Sequence, residues 1–456
     1  MYINIDKDLC TGCQMCKEVC PVDAIVGVRG EVQIIDESKC VMCGQCVQIC
    51  SSFYSPFEES NMSFEDKLQE RGMTKDIKEP LFAAYNKSSL KEAIEILNDE
   101  KNYTMVQCAP AVRVALAEDF GMELGSLTPG KMAAALKQLG FNRVYDTNFT
   151  ADLTIMEEGS ELIDRITNNG TLPMFTSCCP AWVKYMEQEY PEYLNHLSSC
   201  KSPQQMAGAV FKTYGAKLDN VEPSNVKTIS IMPCTCKGFE SDRAEMNDTG
   251  FKDVDLVLTT RELAYLIKAK NIDFLNLADE DFDAPLGSYT GAGHIFGVTG
   301  GVMEAAIRTG YELITNTPID NLEVTCVRGY EGVRESQIKV GDLNLKVAVV
   351  SGLKNVDSII ESMKKGKCDY HFVEVMTCPE GCITGGGQPK MLLPKHREVA
   401  AKERRASMYN HDSNTKIRKS HENPDIKKIY DEFLEAPLGH KSHKLLHTKY
   451  NSRKGN

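Results

Sequence analysis

Eight of the 18 cysteines lie within the first fifty residues, in two groups of one design: Cys10, Cys13, Cys16 and Cys20, followed by Pro21, then Cys40, Cys43, Cys46 and Cys50. Each group reads C-x2-C-x2-C-x3-C, the spacing that binds cubane 4Fe-4S clusters in pairs. A short loop lets three thiolates grip three corners of one cubane. The fourth cysteine lies too far along to close the same loop, so it serves the other cluster. One cluster is therefore expected on Cys10, Cys13, Cys16 and Cys50, the other on Cys40, Cys43, Cys46 and Cys20, and the exchange brings the two close enough for electron transfer. A four-cysteine zinc site would need only two separated C-x2-C pairs. Ser51 stands where proline usually follows the fourth cysteine.

The other cysteines bearing on chemistry sit in short polar segments: Cys178-Cys179-Pro180, Cys234-Thr235-Cys236-Lys237 and Cys378-Pro379-Glu380-Gly381-Cys382, the last followed by Gly385-Gly386-Gly387-Gln388-Pro389. Two carboxylates, Glu158 and Glu161, are three apart, with Arg165 four further on, so a helix presents all three on one face. Taken alone, that spacing is a solvated helix face. His443 and His447 share the i, i+4 spacing of a zinc pair, but no cysteine or carboxylate near them in sequence completes a site, so structural contacts are the preferred reading.

Elements must bring these segments together. Apolar runs precede each of them: Tyr103–Val106 before Gln107-Cys108-Ala109-Pro110, Pro173–Phe175 before Thr176–Trp182, Thr228–Ile231 before Met232–Glu240, and His371–Val375 before Met376–Cys382. Strand-like and helix-like stretches alternate from about residue 86, which predicts a mostly parallel α/β structure. In open α/β sheets ligands bind beyond the carboxyl ends of strands, so these loops are expected to converge. A helix beginning after each loop would favour thiolate there.

The segments TSCCPAW, MPCTCKGFE and EVMTCPEGCITGGGQP resemble the three signature segments of the iron-only, or FeFe, hydrogenases. With the N-terminal clusters and the tail, the resemblance spans nearly the whole chain. It implies an H-cluster, a 4Fe-4S cubane bridged by one cysteine to a di-iron unit with carbonyl, cyanide and azadithiolate ligands. By the same resemblance Cys179, Cys234, Cys378 and Cys382 hold the cubane, Cys382 being the bridge, and four thiolates suit iron. Lys237 matches a lysine that bonds one cyanide, and Ala109, Pro110 and Ala111 match the segment near the other. The family often has serine where Ala111 stands. Met232, Pro233, Met376 and Gln204 match pocket residues, and Gly385, Gly386 and Gly387 would let backbone approach a bulky cofactor. The proton path implied is Cys178, Glu158, Ser198, Glu161 and Arg165, with Ser198 joining the two glutamates. Cys178 enters this reading at its unperturbed pKa of about 8.5, near enough to neutral for relay work.

The implied activity is reversible conversion of protons and electrons to hydrogen, as in a ferredoxin hydrogenase. A couple moving about 59 mV per pH unit lies near roughly −0.4 V at pH 7, within the span of about −700 to +450 mV open to thiolate-bound clusters. The expected partners are ferredoxin or a similar low-potential carrier, and maturation proteins that build the di-iron unit. The competing readings are a hydrogen sensor, a non-catalytic iron–sulfur relative and a simple polyferredoxin. Retention of Cys178 argues against the first, and Cys178, Lys237, the glycine run and the glutamates together argue against the second. A polyferredoxin leaves most of the chain unexplained.

Three residues depart from the commonest family pattern: Ala181 for glycine, and Cys236 and Cys200 for alanine. Cys108, Cys326 and Cys368 are expected to be core cysteines. The 456 residues imply two or three folding units. The division expected is a two-cluster ferredoxin-like α+β module at 1–55, a linker at 56–85, a two-lobed α/β catalytic domain at 86–400 and a helical small-subunit-like segment at 401–456. A net charge of −12 argues against nucleic acid or an anionic membrane surface as partner. Tyr2–Lys7 carries no apolar run, and no stretch approaches the ~20 apolar residues of a membrane span, so a cytoplasmic protein is expected.

Overall fold

The apolar runs ahead of the cysteine segments are strands, and each segment leaves a carboxyl end. The computed structural model describes residues 2–57, 63–329 and 332–455. Eight strands matter here: β1 (Tyr103–Cys108), β2 (Arg143–Asp146), β3 (Met174–Phe175), β4 (Val226–Met232), β5 (Leu256–Thr259), β6 (Val333–Val340), β7 (Leu343–Ser351) and β8 (Phe372–Met376). One sheet, ordered β5-β4-β1-β2, is parallel throughout. The other, ordered β6-β7-β8-β3, is parallel except for its antiparallel edge strand β6. Every residue of β8 is buried and nearly every one of β4, as expected of strands covered on both faces. That is why they read as runs without alternation.

A 21-residue helix, Thr147–Thr167, starts directly from β2, its first turn capped by Asp146, which accepts from Asn148 N at 2.9 Å. Its Phe149 and Leu153 pack with Met105 and Tyr145 of the parallel sheet. Its Ala151, Ile155 and Leu162 pack with Val347 and Phe372 of the mixed sheet. The helix thus ties both lobes together and carries Glu158, Glu161 and Arg165 between them.

The stretch read as a linker is built into the N-terminal module. It holds a helix, Phe64–Glu70, and two short strands, of which Ala84–Asn86 pairs with Ile3–Ile5 and Leu81–Phe82 with Phe53–Tyr54. Asp6 closes the join, accepting from Arg71 Nη2 at 2.8 Å and from Lys67 Nζ at 3.0 Å. Strands of two or three residues are too short to show a period, so only the polar composition was visible in the sequence. Residues 58–62 of that stretch lie outside the described residues.

The C-terminal segment is helical, as expected, but its first helix begins earlier, at Pro394, and runs to Asn414. Beyond it Ile426, Ile429, Tyr430, Leu434, Leu445 and Leu446 share one core with Phe149, Met206 and Phe211. Of the three cysteines expected in the core, Cys108 is buried, but Cys368 is half-buried and Cys326 is exposed. Among the described residues, no helix is long and apolar enough to cross a membrane.

Candidate functional site

The carboxyl ends of β1, β3, β4 and β8 open into one cavity with about 770 Å³ of unfilled space, mouth included. Cys178, Cys179, Cys234, Cys378 and Cys382 all line it. So do Ala109, Pro110, Ala111, Gln204, Met232, Pro233, Lys237, Met376 and Gly385. Helices do follow Cys179 and Cys234, at Pro180–Glu189 and Cys236–Ser241. After Cys382 there is only a 3-10 turn, Cys382–Thr384, and Leu116–Phe120 after β1 is likewise 3-10. Helices that would favour thiolate thus stand behind two of the four loops. Trp182, the chain's single tryptophan, fixes the Cys178-Cys179 loop: it packs on Phe175 and donates from Nε1 to Thr176 O at 3.2 Å.

Sequence reasoning missed Thr147, Ala151, Pro203, Phe296 and Gly297, which complete the wall. The only local signal was the glycine-rich run Gly291–Gly301, which brings Gly297 against Ala111 and Met408. It also misplaced Gly386. That residue lies on the outer side of the loop, where an added Cβ would be 2.6 Å from Cys43 O and 2.7 Å from Gly44 Cα. Its lack of a side chain serves the seating of the N-terminal module, not the cavity. Gly387 likewise packs on Thr259.

Lys237 enters the cavity as a buried cation. Its Nζ donates to both oxygens of Glu240, at 3.0 and 2.9 Å, and to Cys178 O at 3.0 Å. Burial works against the charge, but the Glu240 carboxylate outweighs it and raises the lysine above its ordinary value. Glu240 is in turn held by Ser202 Oγ at 2.8 Å and Gln204 Nε2 at 3.0 Å. Gln204 Oε1 is buried without a hydrogen-bond partner.

The polar residues behind Cys178 form a line. Glu158 is buried, and burial with the nearby Glu161 charge raises it to about 8, against the opposing pull of the Ser198 hydroxyl and the Ser177 N–H. Ser198 Oγ donates to Glu161 Oε2 at 2.9 Å, and Arg165 Nη2 to Glu161 Oε1 at 2.6 Å. The serine thus faces both glutamates: Glu161 is its closest acceptor, and its hydroxyl also bears on Glu158. Arg165 also donates to Leu197 O at 2.8 Å and reaches the surface. Burial, then the Glu158 charge, pushes the Cys178 thiol well above its usual value, so it rests as a neutral thiol and not near neutrality as its unperturbed pKa suggested.

The donor set fits the iron groups. Burial raises Cys234 and Cys382 to about 12, and Cys378 well above its usual value. Metal uptake must therefore displace their protons, as soft iron centres do. In the N-terminal module Cys10, Cys13, Cys16 and Cys50 surround one small cavity. The loops repeat their backbone: Gly12 and Gln14 have φ of 69° and 67°, Met42 and Gly44 of 59° and 73°. Backbone N–H groups point at the sulfurs, with Ala24 3.2 Å from Cys20, Ala84 3.3 Å from Cys50, Met42 3.4 Å from Cys40 and Gln33 3.5 Å from Cys10. Such bonds stabilise thiolate and set cluster potential. The Cys40–Cys46 loop sits directly on the cavity loops: Thr235 Oγ1 donates to Met42 O at 2.8 Å, and Gln48 Nε2 to Gly385 O at 3.1 Å and Gln388 O at 2.7 Å.

Residues 102–386 match the family described as iron only hydrogenase large subunit, C-terminal domain; residues 398–453 match iron hydrogenase small subunit, and residues 2–51 a 4Fe-4S dicluster domain. The NADP-reducing hydrogenase subunit HndD of Solidesulfovibrio fructosivorans is 43% identical, over 98% of this chain and 74% of that one. Iron hydrogenase 1 of Clostridium pasteurianum is 40% identical, over 93% and 77%. A solved variant of the FeFe-hydrogenase HydA1 of Chlamydomonas reinhardtii superposes with a TM-score of 0.71 at 41% identity, covering 80% of this chain and all of that one. A lower similarity, 28% over 77% of the chain and 75% of the relative, extends to the cytosolic Fe-S cluster assembly factor narfl of Xenopus tropicalis. With two 4Fe-4S clusters in its N-terminal module and an H-cluster domain behind it, the chain belongs to the iron-only hydrogenase family.

Proposed function

We propose that the chain catalyses the reversible conversion of two protons and two electrons into molecular hydrogen, exchanging the electrons with ferredoxin or a similar low-potential carrier. The observation that carries this reading is the line of proton-handling groups behind the cavity wall, Cys178, Glu158, Ser198, Glu161 and Arg165. A protein that only assembles or carries clusters has no use for it.

In this reading Cys179, Cys234, Cys378 and Cys382 would hold the H-cluster. Bound there, the H-cluster supplies the low-potential iron at which the hydrogen–hydrogen bond is made or broken. Lys237 presents a fixed cation to the cavity and would serve as donor to an anionic cyanide ligand, since buried acceptors of that kind need one. Met232, Met376 and Phe296 keep the wall apolar and water out. Cys178 keeps a proton on Sγ within the cavity, and Glu158, high in pKa, takes and returns it. Glu161, anchored by Arg165 and Ser198, passes it outward. Cys10, Cys13, Cys16 and Cys50 would hold one 4Fe-4S cluster and Cys20, Cys40, Cys43 and Cys46 the other, and the pair would supply one-electron transfer between carrier and cavity; the loop of the second touches Thr235 and Gly386. A cytoplasmic setting and dedicated maturation proteins belong to the same proposal.

The test is infrared spectroscopy on protein matured with a di-iron precursor, paired with hydrogen evolution from a reduced low-potential dye. Carbonyl and cyanide bands with turnover are expected. Cys178→Ala should keep the bands and lose turnover by ~10²–10⁴-fold, the usual weight of a positioned proton-transfer group. Bands without turnover in the unaltered protein would favour a sensor. Absence of bands, with the 4Fe-4S clusters in place, would favour a non-catalytic cluster protein.

A further inference from the structure

Two lysines from outside the N-terminal module reach into it and meet carbonyls there, not carboxylates. Lys184, on the helix Pro180–Glu189 that follows Cys179, donates from Nζ to Cys40 O at 2.6 Å. Lys390, directly after the run Gly385–Pro389, donates from Nζ to Val47 O at 2.7 Å and to Cys50 O at 2.8 Å. We infer that these two ammonium groups are the counter-charges of the two N-terminal 4Fe-4S clusters, Lys184 for the one that Cys40 would ligate and Lys390 for the one that Cys50 would ligate, and that they raise the potential at which each cluster accepts an electron. Giving one lysine to each cluster rests on the ligand pairing proposed above; the counter-charge role does not.

The argument is one of charge balance. A buried ammonium is costly unless an anion compensates it. Other buried lysines obey that rule: Lys201 pairs with Asp253 at 2.7 Å, Lys212 with Asp255 at 2.8 Å and Lys237 with Glu240 at 2.9 Å. Lys184 is buried as well, and the acid that bears on it, Glu187, is taken by Arg243 at 2.7 Å and Arg453 at 2.9 Å. Lys390 is half-buried, but its Nζ is enclosed by the two carbonyls and by the Phe82 ring, whose centroid is 3.5 Å away. Among the described residues neither lysine forms an ion pair with a carboxylate.

Burial works against both charges, and at Lys390 the nearby Arg261 adds to it. The groups that would favour them are chiefly sulfurs: Cys50 and then Cys46 at Lys390, Cys236 and then Cys40 at Lys184. An electron taken up by a thiolate-bound cluster adds one negative charge in a low-dielectric surround, where a fixed cation weighs most. Net charge is among the factors that set a cluster's potential, and a cation at this place favours the reduced form. The step is one electron passed from an external reductant to a cluster, with no bond formed or broken. Both cations come from segments that also carry cavity cysteines, so the seating of the module on the cavity loops sets its potentials.

The test is a redox titration of the cluster-loaded protein followed by low-temperature EPR, which needs neither turnover nor a loaded di-iron unit. Lys184→Met and Lys390→Met should each lower the midpoint of one N-terminal cluster, so that its reduced-to-oxidised ratio at a fixed potential falls at least ~10-fold, about 59 mV for one electron. Lys184→Arg and Lys390→Arg, which keep the charge, should titrate as the unaltered protein does. If a methionine variant loses iron, Lys184→Gln or Lys390→Gln replaces it, neutral but still a donor to carbonyl. Iron lost from the neutral variants and kept by the arginine ones also supports the counter-charge. Unchanged midpoints in neutral variants with full iron, or an equal drop in the arginine variants, overturn it. Both neutral variants acting on the same cluster signal overturn the ligand pairing, while the counter-charge role stands.

Discussion

At the scale of single residues, the cavity is decided by burial. The same thiol, carboxyl and ammonium groups that the sequence presents at their ordinary pKa values are pushed apart by it: Cys178 is held neutral, Glu158 is raised to about 8 and Lys237 is kept charged by Glu240. Glu158 makes a signed prediction. Its folded pKa exceeds its unfolded one, so between the two the unfolded chain is ionised while the folded one still binds the proton. Stability therefore falls as pH rises from about 4.5 to about 8, and levels off above. Glu158→Gln, a neutral mimic, should flatten that slope. Unfolding midpoints of the cluster-loaded protein between pH 5 and 8 check this; equal slopes would mean that Glu158 is ionised throughout. By spacing alone the glutamate pair was legible only as a helix face, and the proton path came from the resemblance, because the burial of Glu158 leaves no mark in spacing.

Among the elements, the strand ends were the readable part. Buried parallel strands leave apolar runs, and the runs ended close to where the cysteine loops begin, although β1, β4 and β8 extend further than the runs suggested. The short strands of the N-terminal module were unreadable, since two or three residues show no alternation. Gly386 shows the same limit for loops: the sequence revealed a need for glycine but not the neighbour that imposes it. Gly386→Ala should drive a Cβ into the backbone of Cys43 and Gly44, neither of which can swing aside. A loss of ~1–3 kcal/mol in stability, typical of overpacking, is expected. Carrier-driven hydrogen evolution should fall while hydrogen–deuterium exchange, which needs no external electrons, is retained. Equal loss of both would place the damage in the cavity.

For the whole molecule, the C-terminal segment acts as a brace. Asp412, on the helix Pro394–Asn414, accepts from Arg308 at 2.9 and 2.8 Å, and Arg308 also pairs with Glu304 at 2.6 Å, all three fully buried. Removing one partner from such a set leaves an uncompensated buried charge and costs about 3–5 kcal/mol. Asp412→Ala should lower the unfolding midpoint accordingly and expose the segment beyond residue 394 to proteolysis. Cleavage no faster than in the unaltered chain would show that the apolar contacts of Ile426, Tyr430 and Leu446 suffice. The meeting of His447 with Glu161 and Cys200 is likewise a property of the whole molecule, since it happens only because the tail returns to the central helix.

The family, the cofactor class and most of the cavity wall are written in the chain itself, because metal-ligating cysteines need close spacing and so leave motifs. Which groups are buried, and therefore how they titrate, was settled by the folded arrangement. So were the folding of the expected linker into the cluster module, the facing of Gly386 toward that module, and the closing of the cavity by Phe296 and Gly297. Those outcomes depend on contacts between residues far apart in the chain, on which local spacing places no constraint. The meeting of His447 with Cys200 is of this kind: read along the chain, the histidine had no cysteine or carboxylate neighbour, and in the fold it has both.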